Sequence, residues 1–153
     1  MKNLKSIIEK NCRVLGISVP ALCVKPTSFF TTETTRAALV VPQGDLRKAC
    51  IALNVSFVPI LKNDEFQAVL TLSHECRHFW QIVNEEFDEY QTSDELTLSD
   101  YNDQIAEVDA WAWAAIATSH FFDRLPDYNS TFGKSLADKI MKRAEEILDE
   151  EII

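Results

Sequence analysis

The stretch His74-Glu75-Cys76-Arg77-His78 is flanked on both sides by sequence without Gly or Pro, from residue 65 to residue 83. This pattern predicts a single long helix. Positions four apart in a helix differ by about 40° around the axis, so His74 and His78 project from one face, one turn apart. Glu75 projects about 100° to the side. The helix is therefore expected to present two imidazoles and a nearby carboxylate to whatever packs against it.

Two histidines at this spacing can hold one metal ion, and the stretch matches the zinc-binding pattern H-E-x-x-H. Zinc is expected because imidazole nitrogens suit it and because three protein ligands leave one coordination position open. Such an ion would lower the pKa of a bound water molecule, and Glu75 would act as the general base. The alternative is that His74 and His78 lie on an ordinary helix without metal.

The third ligand must come from elsewhere, and residues 107–114 contain two carboxylates, Glu107 and Asp109, among apolar side chains. A carboxylate in such surroundings is costly unless it is paired or bound to metal. The two differ by about 200° around the helix axis, so only one of them can reach the ion. The spacing does not choose between them. The other carboxylate is expected to orient an imidazole or to form a salt bridge.

The two segments together resemble a known group of proteins. H-E-x-x-H followed by a helix of the type E-x-[DE]-A-x-x-[FW]-A is similar to the gluzincin metallopeptidases and, within them, to the ImmA/IrrE family of small bacterial and phage metallopeptidases. The resemblance covers most of residues 1–122 in layout and about 15 residues in motif. It implies a zincin-like fold and an enzyme that hydrolyses a peptide bond with metal-activated water.

The resemblance also implies which residues form the site. Glu107 is the third ligand of one zinc ion per chain, Asp109 is a supporting residue, and the strand at 50–58 is an edge strand that aligns an extended peptide. The implied substrate is a protein or peptide, including a repressor or other regulatory protein. The alternative function is a non-catalytic regulatory module that binds metal on the same scaffold and sequesters a partner.

Three residues differ from the family pattern. Cys76 and Arg77 stand where smaller or apolar side chains are usual, and Trp111 stands where Asn or Asp is typical. Cys76 points about 200° away from the first histidine and is expected to pack in the core. Arg77 is expected to pair with Glu107, with Asp109 or with a substrate carboxylate, or to form a surface salt bridge.

A hydrogen-bond donor that stabilises the oxyanion is the least defined part of the site. The candidates are Tyr90, Tyr101, Tyr128 and His120. His120 lies about 140° from Glu107 on the same helix, so it can take this role only if the helix ends early.

The rest of the chain predicts an α+β fold in one domain, 1–153, with a zincin-like order of elements: N-terminal helix, small sheet, motif helix, glutamate helix and C-terminal helix. Three or four short strands are expected between about 19 and 60, where β-branched residues alternate with turn residues. Asp64 with Gln67 resembles a capping box for the motif helix. The expected segments are a helix at 3–15 ended by Gly16, strands at 21–25, 37–41 and 50–58, a helix opened by Asp100 or Asp103 and ending at Phe122, and a helix at 134–152.

The composition narrows the class of function. The chain has 153 residues, 46% of them hydrophobic, and a net charge of −9. No basic stripe is present, so direct binding to nucleic acid is not expected. No apolar run is long enough for a membrane span or a secretory signal, which favours the cytoplasm and no membrane partner. The four cysteines form no C-x-x-C pair and are expected to be reduced and buried.

Overall fold

The motif helix packs between an N-terminal helix, a small sheet and an alanine-rich helix, and the predicted α+β class is confirmed. The computed structural model describes the backbone of residues 2–87 and 104–151 and the side chains of residues 3–87 and 104–150. The helices are α1 (Lys2–Leu15), α2 (Val58–Asn63), α3 (Glu65–Val83), α4 (Ile105–Phe122), α5 (Tyr128–Phe132) and α6 (Lys134–Glu151). The strands are β1 (Ala21–Lys25), β2 (Ala37–Val40) and β3 (Cys50–Asn54).

The sheet has the order β1-β3-β2, with β1 parallel and β2 antiparallel to β3. The strand predicted at 50–58 is therefore the central strand of this sheet, and the expectation that it forms an edge is wrong. It is also shorter than predicted, because the Asn54 side chain accepts a hydrogen bond from the Ser56 N–H and turns the chain into α2. The edge strand beside α3 is β2.

Two hydrophobic clusters hold these elements together. The first joins α1, the sheet, α2 and α3, and the second joins α4, α5 and α6. Helix α4 also reaches the first cluster through Ala117. Trp113 of α4 is buried and donates its indole N–H to Asn11 of α1 at 2.9 Å. Helix α4 is thus fixed from both sides, which sets its position against α3.

The helix boundaries largely follow the sequence signals. The motif helix spans the predicted range, and Asp64 accepts a hydrogen bond from the Gln67 N–H at 3.2 Å, as expected of its cap. Gly16 takes a left-handed φ of 71° after α1. Asp100 and Asp103 lie outside the described residues, and Gln104 occupies the cap position of α4, although its side chain does not cap the helix. Helix α5 was not predicted; Asp127 caps it.

Two of the four cysteines are joined to each other and two are free thiols. Cys23 of β1 and Cys50 of β3 are joined in a disulfide, which corrects the expectation for these two half-buried residues. Neighbouring parallel strands bring the two side chains together, a relationship that sequence spacing does not reveal. Cys12 and Cys76 are free and buried, as expected. None of the helices in residues 2–87 and 104–151 is long and apolar enough to cross a membrane.

Candidate metal centre

His74, His78 and Glu107 converge on one point between α3 and α4. The two imidazole Nε2 atoms are 3.1 Å apart. The Glu107 carboxylate places Oε1 at 3.2 Å from the Nε2 of His74 and Oε2 at 2.6 Å from the Nε2 of His78. One ligand atom from each residue lies within 4.8 Å of the others, and no other group of this kind occurs among the described residues. The predicted relationship of the three side chains is therefore present.

The chemistry of the three groups fits a divalent cation. Two imidazole nitrogens and a carboxylate are a zinc-type donor set, and His74 and Glu107 are buried. The charge balance also fits. Burial alone would lower the pKa of His78, but Glu107 raises that pKa to about 9. Burial alone would raise the pKa of Glu107, but His78 and His74 hold it well below its usual value. In the metal-free group the His78 proton and the ionised Glu107 carboxylate therefore stabilise each other.

Glu75 lies beside this group and is tied to the sheet. Its Oε2 accepts a hydrogen bond from the backbone N–H of Leu39 in β2 at 3.0 Å. Burial raises the pKa of Glu75, and the charges of His74 and His78 partly offset that rise. A carboxyl group whose pKa is moved upward is better matched to accepting a proton near neutral pH.

The Leu39 N–H belongs to the edge of β2 that faces away from β3. The backbone carbonyl of Arg36, just before β2, accepts a hydrogen bond from the Asn54 N–H of β3 at 2.8 Å. Because inward and outward backbone groups alternate along an antiparallel strand, Ala38 pairs toward β3 while Ala37 and Leu39 present their backbone groups outward. The outward edge of β2 therefore runs beside Glu75.

Asp109 points to the opposite side of α4 from Glu107, as the helical spacing requires. It is fully buried and accepts hydrogen bonds from Arg77 Nε at 2.7 Å, Arg77 Nη2 at 3.0 Å and Arg143 Nε at 2.9 Å. Burial alone would raise the pKa of Asp109, but Arg77, with Gln81 and Arg143, lowers it. The supporting role predicted for Asp109 agrees with this geometry.

Arg77 is a core residue and not a surface ion pair. Its side chain is 1% exposed, it pairs with Asp109, and its guanidinium lies 3.7 Å from the centre of the Trp80 ring. These contacts correct the alternatives of a surface salt bridge, of a pair with Glu107 and of a substrate-binding residue. Arginine fits this position because its fork matches a carboxylate and its flat face stacks on an indole.

Gln81 was missed by the sequence analysis, although it lies three residues after His78 and therefore on the same helix face. Its Oε1 is 2.9 Å from the Nδ1 of His78. Its Nε2 is 2.8 Å from the carbonyl oxygen of Ala106 and 2.8 Å from Oδ2 of Asp109. Gln81 thus connects one imidazole to the buried carboxylate.

His74 is held differently. Its ring stacks on Trp111, with the ring centres 3.8 Å apart. Its buried Nδ1 and the indole Nε1 of Trp111 have no hydrogen-bond partner among the residues that the structure describes. Tyr128, a candidate oxyanion donor, instead donates its hydroxyl hydrogen bond to the Trp111 carbonyl oxygen at 2.6 Å. Trp111, which stands where the family pattern has Asn or Asp, thus contacts an imidazole of the candidate site.

His120, another candidate oxyanion donor, does not join the site. His120 is exposed, and α4 continues past it to Phe122, so it lies about 20 Å from Glu107 along the helix. The condition set for its role, an early helix end, is not met. Tyr101 and Tyr90 lie outside the described residues. Cys76 packs in the core as predicted.

Comparison with protein-family models finds no match, and comparisons with curated proteins and with solved structures find none either.

Proposed function

We propose that the protein is a zinc-dependent metallopeptidase of the gluzincin type, similar in function to the ImmA/IrrE family. The observation that carries the proposal is the convergence of His74, His78 and Glu107 within 4.8 Å, beside the buried carboxyl group of Glu75. The proposed centre holds one zinc ion per chain.

In the proposed mechanism His74, His78 and Glu107 hold the ion. Zinc bound there supplies Lewis acidity, which lowers the pKa of water and polarises a carbonyl. Glu75 accepts a proton from the attacking water and passes it to the leaving amine. The Leu39 N–H holds one oxygen of Glu75, which leaves the other oxygen to carry the proton.

The proposed substrate is an extended peptide segment of a protein, including a regulatory protein. The support for this choice is the outward edge of β2 beside Glu75, because an extended peptide forms backbone hydrogen bonds with an open strand edge. The outward backbone groups of Ala37 and the carbonyl of Leu39 define the direction in which such a peptide would lie, since the Leu39 N–H is already donated to Glu75. In this proposal β2 takes the role that the sequence had suggested for the strand at 50–58.

The test compares Glu75→Gln with Glu65→Gln, an exposed change of the same type on the same helix. Each protein is purified without chelator, its zinc content is measured by plasma mass spectrometry, and it is incubated with a degenerate peptide library that is read by mass spectrometry. We expect about one zinc per chain in all proteins and cleavage that chelators abolish. Cleavage should fall by at least about a hundredfold in Glu75→Gln, the range lost with a general base, and persist in Glu65→Gln.

The other outcomes are equally informative. Zinc binding without cleavage by the wild-type protein would favour the non-catalytic regulatory module. Normal cleavage by Glu75→Gln would show that another group accepts the proton. A wild-type protein that takes up no zinc would overturn the proposal.

A further inference from the structure

The hydrogen bonds of Gln81 determine the protonation of one imidazole. The Nε2 of Gln81 faces the Ala106 carbonyl and the Asp109 carboxylate, both of which only accept hydrogen bonds. That atom must therefore be the amide nitrogen, with both of its N–H groups used. The remaining amide atom, Oε1, can only accept, so the Nδ1 of His78 must carry the hydrogen that lies between them. His78 is thus fixed with Nδ1 protonated and Nε2 turned toward Glu107.

Gln81 is itself held by a rigid group. Asp109 is fully buried and receives two hydrogen bonds from Arg77 of α3 and one from Arg143 of α6. This Asp109 cluster, made of Asp109, Arg77 and Arg143, links three helices. A carboxylate held by two guanidinium groups has little freedom to turn, so the amide that donates to it is also fixed.

The two imidazoles therefore differ in what holds them. His74 is oriented by stacking on Trp111 and has no hydrogen-bond partner on Nδ1 among the described residues, whereas His78 is connected through Gln81 to the Asp109 cluster. Partners that hold the outer nitrogen of a metal-binding histidine fix its tautomer and raise its basicity.

We propose that Gln81 is the positioning residue of the metal centre, holding His78 with Nδ1 protonated and joining it to the Asp109 cluster. This inference rests on the proposed function, because it assumes that His78 binds metal through Nε2. It predicts that Gln81 raises the zinc affinity through its hydrogen bond to His78, and not only through packing or helix stability.

The test uses Gln81→Met, which keeps the length of the side chain and removes its hydrogen bonds. Gln67→Met is the matched control, because Gln67 lies on the same helix, bonds to Arg36 and does not touch the centre. Gln81→Glu is the second variant, because it keeps an acceptor for the His78 Nδ1–H and loses the donors to Asp109 and Ala106. Zinc affinity is measured by competition with a chromophoric chelator, and the ring ¹⁵N shifts of His78 are recorded in the zinc-loaded proteins.

We expect Gln81→Met to bind zinc about 10- to 100-fold more weakly than the wild-type protein, the usual loss for such a partner. Gln67→Met should bind as the wild type does. Gln81→Glu should bind more tightly than Gln81→Met and retain the wild-type Nδ1–H signal of His78. If Gln81→Met does not fold, the comparison of Gln81→Glu with the wild type still tests the His78 signal.

Two results overturn the inference in distinguishable ways. Wild-type zinc affinity and an unchanged His78 signal in Gln81→Met would overturn the role of Gln81 and leave the metal centre intact. Absence of zinc binding by the wild-type protein would overturn the proposed function together with this inference.

Discussion

The Oε2 atom of Glu107 lies 2.6 Å from the Nε2 atom of His78, although the two residues belong to different helices. This contact exists because Glu107 lies on the side of α4 that faces the two imidazoles of α3. Glu107 and Asp109 point to different sides of α4, so each carboxylate has its own partners on α3. Glu107 contacts the two histidines, whereas Asp109 contacts Arg77 and Gln81. The two carboxylates can therefore be tested against each other.

Glu107→Gln is expected to lower mainly the zinc affinity, and Asp109→Asn mainly the free energy of unfolding. Glu107→Gln removes a proposed ligand and should weaken zinc binding by more than about a hundredfold, the upper end of the loss caused by outer partners. Asp109→Asn should retain about one zinc but lose roughly 3–5 kcal/mol of unfolding free energy, because the buried Arg77 loses the opposite charge of Asp109. Plasma mass spectrometry and urea denaturation measure the two quantities. Zinc retention in Glu107→Gln would show that Glu107 is not a ligand.

The stability of the metal-free protein should fall as the pH becomes alkaline. The pKa of His78 is raised from 6.5 to about 9, so the folded state binds its proton more tightly than the unfolded state does. This contribution is fully present below pH 6.5 and is lost as the pH rises through about 9. It amounts to roughly 3–4 kcal/mol, since the pKa rises by about 2.5 units and one unit corresponds to about 1.4 kcal/mol.

Urea denaturation of the chelator-treated protein between pH 6 and pH 10 measures this dependence, with Glu107→Gln as the control. The variant should show a shallower decline, because its His78 lacks the carboxylate that raises its pKa. Zinc affinity should increase over the same range, since the ion competes with that proton. Equal pH slopes for the two proteins would contradict the assigned pairing.

Trp111 should contribute to zinc affinity through His74. Trp111→Leu removes the ring that stacks on the imidazole, and we expect a loss of about 1 kcal/mol, or roughly fivefold in affinity. Trp111→Phe retains an aromatic face and should recover most of that loss. Chelator competition on the folded variants makes the measurement. Equal affinities for Trp111→Leu and the wild type would mean that stacking does not orient His74.

The Cys23–Cys50 disulfide should be detectable as two unreactive cysteines. After unfolding without reductant, alkylation and mass spectrometry should modify Cys12 and Cys76 alone. Cys23→Ser should lower the unfolding free energy by about 3–4 kcal/mol, the chain-entropy value for a sequence separation of 27. Modification of all four cysteines would contradict the Cys23–Cys50 disulfide.

The sequence predicted the elements that have strong local signals. Helix α3 has the expected range because Asp64 caps it and no Gly or Pro interrupts it. The end of β3 was placed too late because Val55 and Val58 have strand propensity, and the hydrogen bond from Ser56 to Asn54 outweighs it.

The site was predicted to the extent that it follows helix periodicity. The spacing of His74 and His78 gave one shared face, and the angle between Glu107 and Asp109 showed that only one of them reaches the histidines. The choice between those carboxylates depended on how α4 rotates against α3, which is a tertiary property. Gln81 was missed because its role needs an acceptor from α4.

One buried stripe of α4 consists of alanines, and we expect their small size to set the distance between α4 and α3. Four of its buried residues fall within an arc of about 80°, and Glu107 and Asp109 lie on either side of that arc. The four are Ala106, Ala110, Ala114 and Ala117. Ala110→Val, which adds two carbons inside the stripe, should weaken zinc binding in the competition assay although every ligand is retained; unchanged affinity would show that the stripe is not limiting. The small alanine side chains would thus set the spacing of α3 and α4. They would thereby fix the size of the proposed metal site, although none of them is a ligand.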